Sequence, residues 1–287
     1  MPKKKQKQSQ VIEIPKPILY TAKFLQAISS SLTTKFAAKL FTTPIRHKLP
    51  KRELHMERES VQKSILVPAI NKEVVVYEYG KSDKKVLLVH GWSGRGTQLV
   101  KIADEFLKIG YMTISFDAPA HGKSKGNYSI MTEFIASILE LEKQYGTFEF
   151  AIGHSLGGMS VLNAIKQNLQ VKKAVTIGAG DIIQDIIDDF IKKLQLKPEY
   201  GIKLRDHFEK RFVGKMDDYS AYKTAKTIKI PVLIMHDKED DDVSVKAAYH
   251  IHEHLQGSEL VITEGLGHRK ILGDEAVIEK IKEFILK

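Results

Sequence analysis

The sequence predicts an α/β fold, a mostly parallel eight-stranded sheet with helices on both faces. Two observations carry this reading. From about residue 61 onward, short runs rich in Val and Ile alternate with helix-length segments. From the third run on, they are mostly solidly apolar, which marks strands buried on both faces, as parallel strands are. The eight runs are 64–67, 73–79, 85–90, 111–117, 148–153, 173–178, 230–236 and 259–263. Helical segments fit between them at 97–109, 129–145, 157–169 and 245–255, with a closing helix at 275–286. Each strand–helix–parallel strand step implies a right-handed crossover.

Composition narrows the function classes. The 287 residues are 43 % hydrophobic and 28 % charged, with 19 Gly and 9 Pro, an ordinary globular profile. Zero cysteines exclude a disulfide scaffold, a thiolate zinc site and a Cys nucleophile. The net charge of +10 is concentrated. Residues 1–52 hold twelve basic residues against Glu13 alone, a net of +11, while the remainder nets −1. A body this close to neutrality argues against nucleic acid as the main substrate.

Residues 1–60 read as a basic N-terminal arm with one amphipathic helix, and residues 61–287 as the α/β domain. The first ten residues, polar and basic, are expected to be disordered. Ile18, Ala22, Leu25, Ile28, Leu32, Phe36 and Leu40 recur in steps of three and four, one helical face that ends at Thr43-Pro44. Lys23, Lys35 and Lys39 interrupt this stretch, so it does not read as a membrane span, and a cytoplasmic protein is the expectation. The stripe leaves two readings open, peripheral contact of residues 18–42 with an anionic membrane or docking on the protein's own body or on a second copy in a homodimer. Serine and threonine runs at 29–31 and 33–34 favour docking.

The interval 181–227 breaks the rhythm. It contains no strand. Ile182, Ile183, Ile186, Ile187, Phe190, Ile191 and Leu194 line one helical face, and Leu204, Phe208 and Phe212 suggest another helix. An insertion after the carboxyl end of a strand sits over the crevice where α/β sheets bind ligands, so it is expected to form a small helical lid.

The chemistry lies in one pentapeptide and two loops. Gly153-His154-Ser155-Leu156-Gly157 follows a buried run and opens a helix. A serine on so sharp a turn lifts its hydroxyl clear of the sheet, and neighbours two residues away must be small to avoid colliding. The helix beginning there also aims free N–H groups at the same point. Serine needs a base, and the base an orienting acid. His268 follows the last strand and Asp240 the one before it, so both rise on the edge that carries Ser155. The order Ser, Asp, His is that of α/β-hydrolases.

On these residues, the chain from about residue 61 resembles the α/β-hydrolase-fold serine hydrolases of esterase and lipase type. Further stretches match: Leu88-Val89-His90-Gly91-Trp92 resembles the oxyanion-hole turn, and Asp117-Ala118-Pro119-Ala120-His121-Gly122-Lys123-Ser124 the family's Asp-x-Pro-x-His-Gly-x-Ser stretch. The acid loop is similar to His-Gly-x-x-Asp-x-x-Val-Pro, which selects Asp240, although Asp237 replaces Gly and Ser244 replaces Pro. Asp241 and Asp242 stay open as alternatives. The resemblance implies an oxyanion hole from the N–H groups of Leu156 and Trp92, and acyl transfer needing no metal or cofactor. The expected substrate is a small-molecule carboxylic ester of short to medium acyl chain. A thioesterase or acyltransferase on the same triad, or a non-catalytic binding protein, are the alternatives.

Three other patterns carry less. Residues 117–124 end in Gly-Lys-Ser, as a phosphate-binding loop does, but Asp117 stands where the first glycine is needed. Gly178-Ala179-Gly180 lacks the third glycine of a dinucleotide site, position 183 being Ile. Only two of His250, His252 and His254 share a helical face, which disfavours a metal cluster.

Overall fold

The computed structural model describes residues 14–211 and 214–287; the expectations for residues 1–10 and Phe212 lie outside them. The described residues begin with α1 (Lys16–Ile28), α2 (Ser30–Thr42) and α3 (Leu54–Glu59). The sheet then begins with β1 (Val61–Val67), β2 (Lys72–Tyr79) and β3 (Lys85–Val89). After α4 (Val100–Lys108) come β4 (Met112–Asp117), α5 (Met131–Tyr145), β5 (Phe150–His154), α6 (Leu156–Lys166) and β6 (Lys173–Ile177). The insertion supplies α7 (Ile183–Lys193), α8 (Glu199–Glu209) and α9 (Ala221–Ala225). The chain closes with β7 (Val232–Asp237), α10 (Lys246–His254), β8 (Glu259–Thr263), α11 (Gly267–Lys270) and α12 (Glu275–Leu286).

All eight runs are strands of one sheet, in the order β1-β2-β4-β3-β5-β6-β7-β8. β2 runs antiparallel to β1 and β4, and the remaining pairs are parallel. The solid apolar runs are explained by burial on both faces. In β3, Leu87 and Val89 join the core with α5 and α6, whereas Val86 and Leu88 join the one with α4 and α12. β8 differs: its residues are exposed or half-buried, because it is an edge strand with a neighbour on one side only.

The arm departs from a single helix. At Ser29 the backbone becomes extended (φ −154°, ψ 118°), and its hydroxyl accepts a hydrogen bond from the Leu32 N–H, capping α2. The stripe therefore splits. Ile18, Phe36 and Leu40 pack on the core and Ala22 is buried, whereas Ile28 and Leu32 face outward. The arm docks on its own body, as the serine and threonine content favours. The Gln26 side chain accepts from the Lys197 N–H, and the Ser129 N–H donates to the Thr42 carbonyl. Arg46 donates to the carbonyls of Ala120, Ser124 and Gly126. None of the described helices is long and apolar enough to cross a membrane.

The described residues between β6 and β7 contain α7, α8 and α9 and no strand. The neck of this insertion is tied: the Ala221 N–H donates to the Asp181 carbonyl, the Tyr222 N–H to the Asp181 carboxylate and the Ile183 N–H to Ser220 Oγ.

Candidate active site

The turn between β5 and α6 forces Ser155 into φ +54°, ψ −122°, a region L-residues rarely occupy and one that stores strain. Its N–H is held by the Ile177 carbonyl at 2.8 Å. The glycines around it are sterically required. A Cβ on Gly153 would lie 2.5 Å from the Gly157 carbonyl carbon and 2.6 Å from the Gly158 nitrogen. One on Gly157 would lie 2.5 Å from the His90 carbonyl oxygen and closer still to that of Val89. Ser155 is the N-cap of α6, so the amide of Leu156 is the first of the helix, a position with no intrahelical acceptor, whereas the Gly158 N–H already donates to the Ser155 carbonyl.

The turn after β3 is braced from beneath. His90, fully buried, has Nδ1 2.7 Å from the Gly91 carbonyl, while its Nε2 accepts the Ala118 N–H at 3.0 Å. Those partners fix the Nδ1–H tautomer, and burial holds the ring's pKa well below the ordinary histidine value. Gly91 N–H donates to Gln98 Oε1 at 2.9 Å. Asp117 knots this turn to the next loop, accepting from the Gly96 N–H at 2.7 Å, the Lys123 N–H at 2.7 Å and the Tyr77 hydroxyl at 2.9 Å. Gly122, at φ +46°, leaves the room this carboxylate occupies. The stretch that ends in Gly-Lys-Ser thus spends loop amides on its own aspartate. Trp92 is half-buried, its ring edge-on to His121 at 5.1 Å.

His268 and Asp240 meet. Nδ1 of His268 lies 2.6 Å from Asp240 Oδ2, and both side chains are buried. Oδ1 of Asp240 accepts from the amides of Asp242 (2.9 Å) and Val243 (2.8 Å). His236 Nε2 donates to the Val243 carbonyl at 2.9 Å and lies 3.4 Å from Oδ2. Burial pushes the Asp240 carboxyl up, but the hydrogen bonds of His236 and His268 outweigh it and hold it well below the ordinary range. An ionised carboxylate only accepts, so Nδ1 of His268 carries a proton and donates it to Asp240 Oδ2. The alternatives Asp241 and Asp242 do not take this place; Asp242 pairs with Arg269 instead, at 2.8 Å.

The ring of His268 stands 4.6 Å, centroid to centroid, from that of His154, the residue before Ser155. His154 Nε2 donates to the His268 carbonyl at 2.8 Å. Burial and the facing His268 lower the His154 pKa to about 3, so it is neutral. Ser155 and His268 therefore lie at the same end of the sheet. Among the described residues, however, the ring's hydrogen bond is to Asp240, with none to the serine hydroxyl.

A cavity of about 1010 Å³ opens over this end. Ser155, Leu156, Trp92 and Asp240 lie on its wall; His268 does not. The rest is largely apolar, with Ile183, Ile186 and Phe190 from α7, Phe208 from α8, and Ile130 and Met131 before and in α5. Phe41 of α2 also reaches the wall and packs edge-on against Phe190 at 5.1 Å.

Sequence reasoning missed three supports. Asp237 had shown only as a departure from the family pattern. In the structure it accepts from the Glu239 N–H, the Thr263 hydroxyl (2.7 Å) and the Leu266 N–H (3.1 Å), stapling the acid loop to the histidine loop. Phe41 gave no signal, being assigned to the arm. His250, on α10, bonds Asp181 at the neck of the insertion. His254 turns its Nδ1 to the His250 carbonyl and His252 to Ser258.

A family model described as alpha/beta hydrolase fold matches residues 84–210, and one described as TAP-like protein matches residues 215–287. No curated protein matches the chain. Among solved structures, an esterase from Pyrococcus furiosus is 21% identical, covering 85% of this chain and 97% of its own, with a TM-score of 0.65. An esterase from Exiguobacterium antarcticum is 20% identical, covering 79% and 100%, with a TM-score of 0.63. A membrane phospholipase A is 16% identical, covering 94% and 98%, with a TM-score of 0.62. Strand order, matched models and these likenesses agree: the chain is an α/β-hydrolase-fold protein.

Proposed function

We propose that the protein is a serine hydrolase that cleaves carboxylic esters through an acyl-enzyme. One observation carries this reading. A serine strained at φ +54° faces a large apolar cavity, at the sheet end where His268 and an ionised Asp240 are joined at 2.6 Å. In the proposed cycle, His268 turns Nε2 to the serine and takes its proton as Oγ attacks the ester carbonyl. Asp240 stabilises the imidazolium through Nδ1–H. The N–H groups of Leu156 and Trp92 receive the oxyanion, each worth about 10²–10³ in rate in comparable enzymes. His268 returns its proton to the leaving alcohol, and water then repeats the sequence on the acyl-enzyme.

The helical insertion serves as the lid of this cavity. Beyond the short to medium acyl chains expected, we propose that the cavity also takes longer ones. Ligand pockets span roughly 300–1,000 Å³, and about 1010 Å³ lined by Phe41, Ile186, Phe190 and Phe208 suits an extended acyl group. The two esterases and the phospholipase among the structural neighbours favour ester cleavage. Thioester cleavage and acyl transfer use the same residues.

Turnover of p-nitrophenyl esters of increasing chain length by wild type and Ser155→Ala tests the proposal. The expected result is turnover that rises with chain length and is lost in the variant. Retained turnover in Ser155→Ala sinks it. A fluorophosphonate that labels neither protein points instead to a binding role.

A further inference from the structure

α1 is apolar on two faces. Its inner face docks through Ile18 and the buried Ala22. Its outer face presents Tyr20, Phe24 and Ile28, which are 68%, 65% and 60% exposed, and Leu32, in the first turn of α2 just past the break at Ser29, is 49% exposed. Spacings of four keep Tyr20, Phe24 and Ile28 on one side of α1. Single exposed apolar residues are unremarkable, but a row of large ones marks a surface that something else covers.

The charge around the row selects what covers it. Lys16 and Lys23 on α1, and Lys35 and Lys39 on α2, are exposed. Residues 14–52 contain eight basic residues and no acidic one. A second copy applied to this face would meet its own lysines. An anionic surface meets exposed apolar side chains on two helices whose charged side chains are all cationic, the pattern of helices that lie in the headgroup region of a bilayer. The inner side of the same hairpin supplies Phe41 to the cavity wall, and Gln26 of α1 holds the Lys197 amide beside the insertion. The face is thus continuous with the elements around the cavity.

We propose that the outer face of α1 and the first turn of α2 dock on an anionic lipid surface. Tyr20, Phe24, Ile28 and Leu32 enter the headgroup–acyl boundary, and the lysines hold the acidic headgroups. Docking itself needs no serine chemistry. Its use, bringing an ester in the lipid layer to the cavity, rests on the proposed function.

Flotation of the full-length protein with vesicles tests this. One set is pure phosphatidylcholine and the other also contains phosphatidylglycerol. Wild type is expected to float with the anionic set about tenfold more than with the neutral set, and to be released by high salt. Phe24→Ser/Ile28→Ser, and separately Lys23→Glu/Lys35→Glu/Lys39→Glu, should each lose roughly tenfold in partitioning. Melting temperature and turnover of a soluble short-chain ester should stay at wild-type values, since these side chains are exposed and off the cavity wall. Wild type that ignores anionic vesicles, or variants that float as wild type does, overturns the proposal. So does a wild-type dimer, seen in sedimentation velocity, that Phe24→Ser/Ile28→Ser dissociates, because the face is then a self-interface. If Ser155→Ala keeps its esterase turnover while wild-type flotation holds, the function falls and the docking stands.

Discussion

A methyl group on Gly157 has no room. It would lie 2.5 Å from the His90 carbonyl oxygen and nearer that of Val89, where carbon contacts normally sit at about 3.5–4.0 Å. Both obstacles are backbone, so no side chain can rotate away. In Gly157→Ala the end of β3 and the start of α6 must separate by about 1 Å, an overpacking that typically costs about 1–3 kcal/mol. For a domain of this size each kcal/mol lowers Tm by roughly 2–4 °C. The displaced segment leads to Trp92 on one side and carries Leu156 on the other, the two donors of the proposed oxyanion hole. A misplacement of about 1 Å commonly costs about 10²-fold in rate. Gly257→Ala is the control: its φ is +78°, but nothing lies within 4 Å of the added carbon. It should show only the left-handed strain of about 1–2 kcal/mol and unchanged turnover. Thermal melts and kcat/KM for a chromogenic ester measure both effects. Gly157→Ala with wild-type melting and wild-type turnover would refute the close approach and the geometry built on it.

Other outcomes follow from the supports around the site. Asp237→Asn sets an amide N–H₂ among groups that donate to Asp237, from Glu239, Thr263 and Leu266. Chemical denaturation should show a loss of about 1–3 kcal/mol, and kcat should fall because the histidine loop is no longer stapled. Despite burial, hydrogen bonds keep Asp237 and Asp240 below the ordinary carboxylate range. Between their folded and unfolded pKa values the unfolded chain binds more protons, so their stabilisation is complete above about pH 4 and is lost as pH falls further. Asp237→Asn should flatten that acid slope, read from Tm against pH. Phe41→Ala removes a ring packed against Phe190 and Phe208. It should cost less than the ~3–5 kcal/mol of a fully buried Phe, because Phe41 is half-buried, and raise KM for long-chain esters more than for short ones.

Much of this was legible because it is local. Solid Val and Ile runs can be buried only between two layers, so the sheet could be read from them. Gly153 and Gly157 advertise the tight turn at Ser155, and position after a strand puts Asp240 and His268 on the same edge. What escaped is long-range or marginal in sequence. β8 has an interior composition but an edge position, which depends on strand order. The break at Ser29 is a choice between continuing a helix and capping a new one, and Ile28 and Leu32 favour neither. Asp237 looked like a lost glycine because its partners, Thr263 and Leu266, lie on another strand and loop. Phe41 meets the cavity only because the arm folds back across the body.

The central claim is that Ser155 is the nucleophile and His268 its base, although the structure joins His268 to Asp240 and leaves the serine hydroxyl unbonded to the ring. Intact-mass and peptide mapping after brief exposure to a fluorophosphonate test this most directly. The account predicts one adduct per chain, on Ser155, formed at a rate that collapses in His268→Ala. An adduct on another residue, or equally fast labelling without the imidazole, contradicts it.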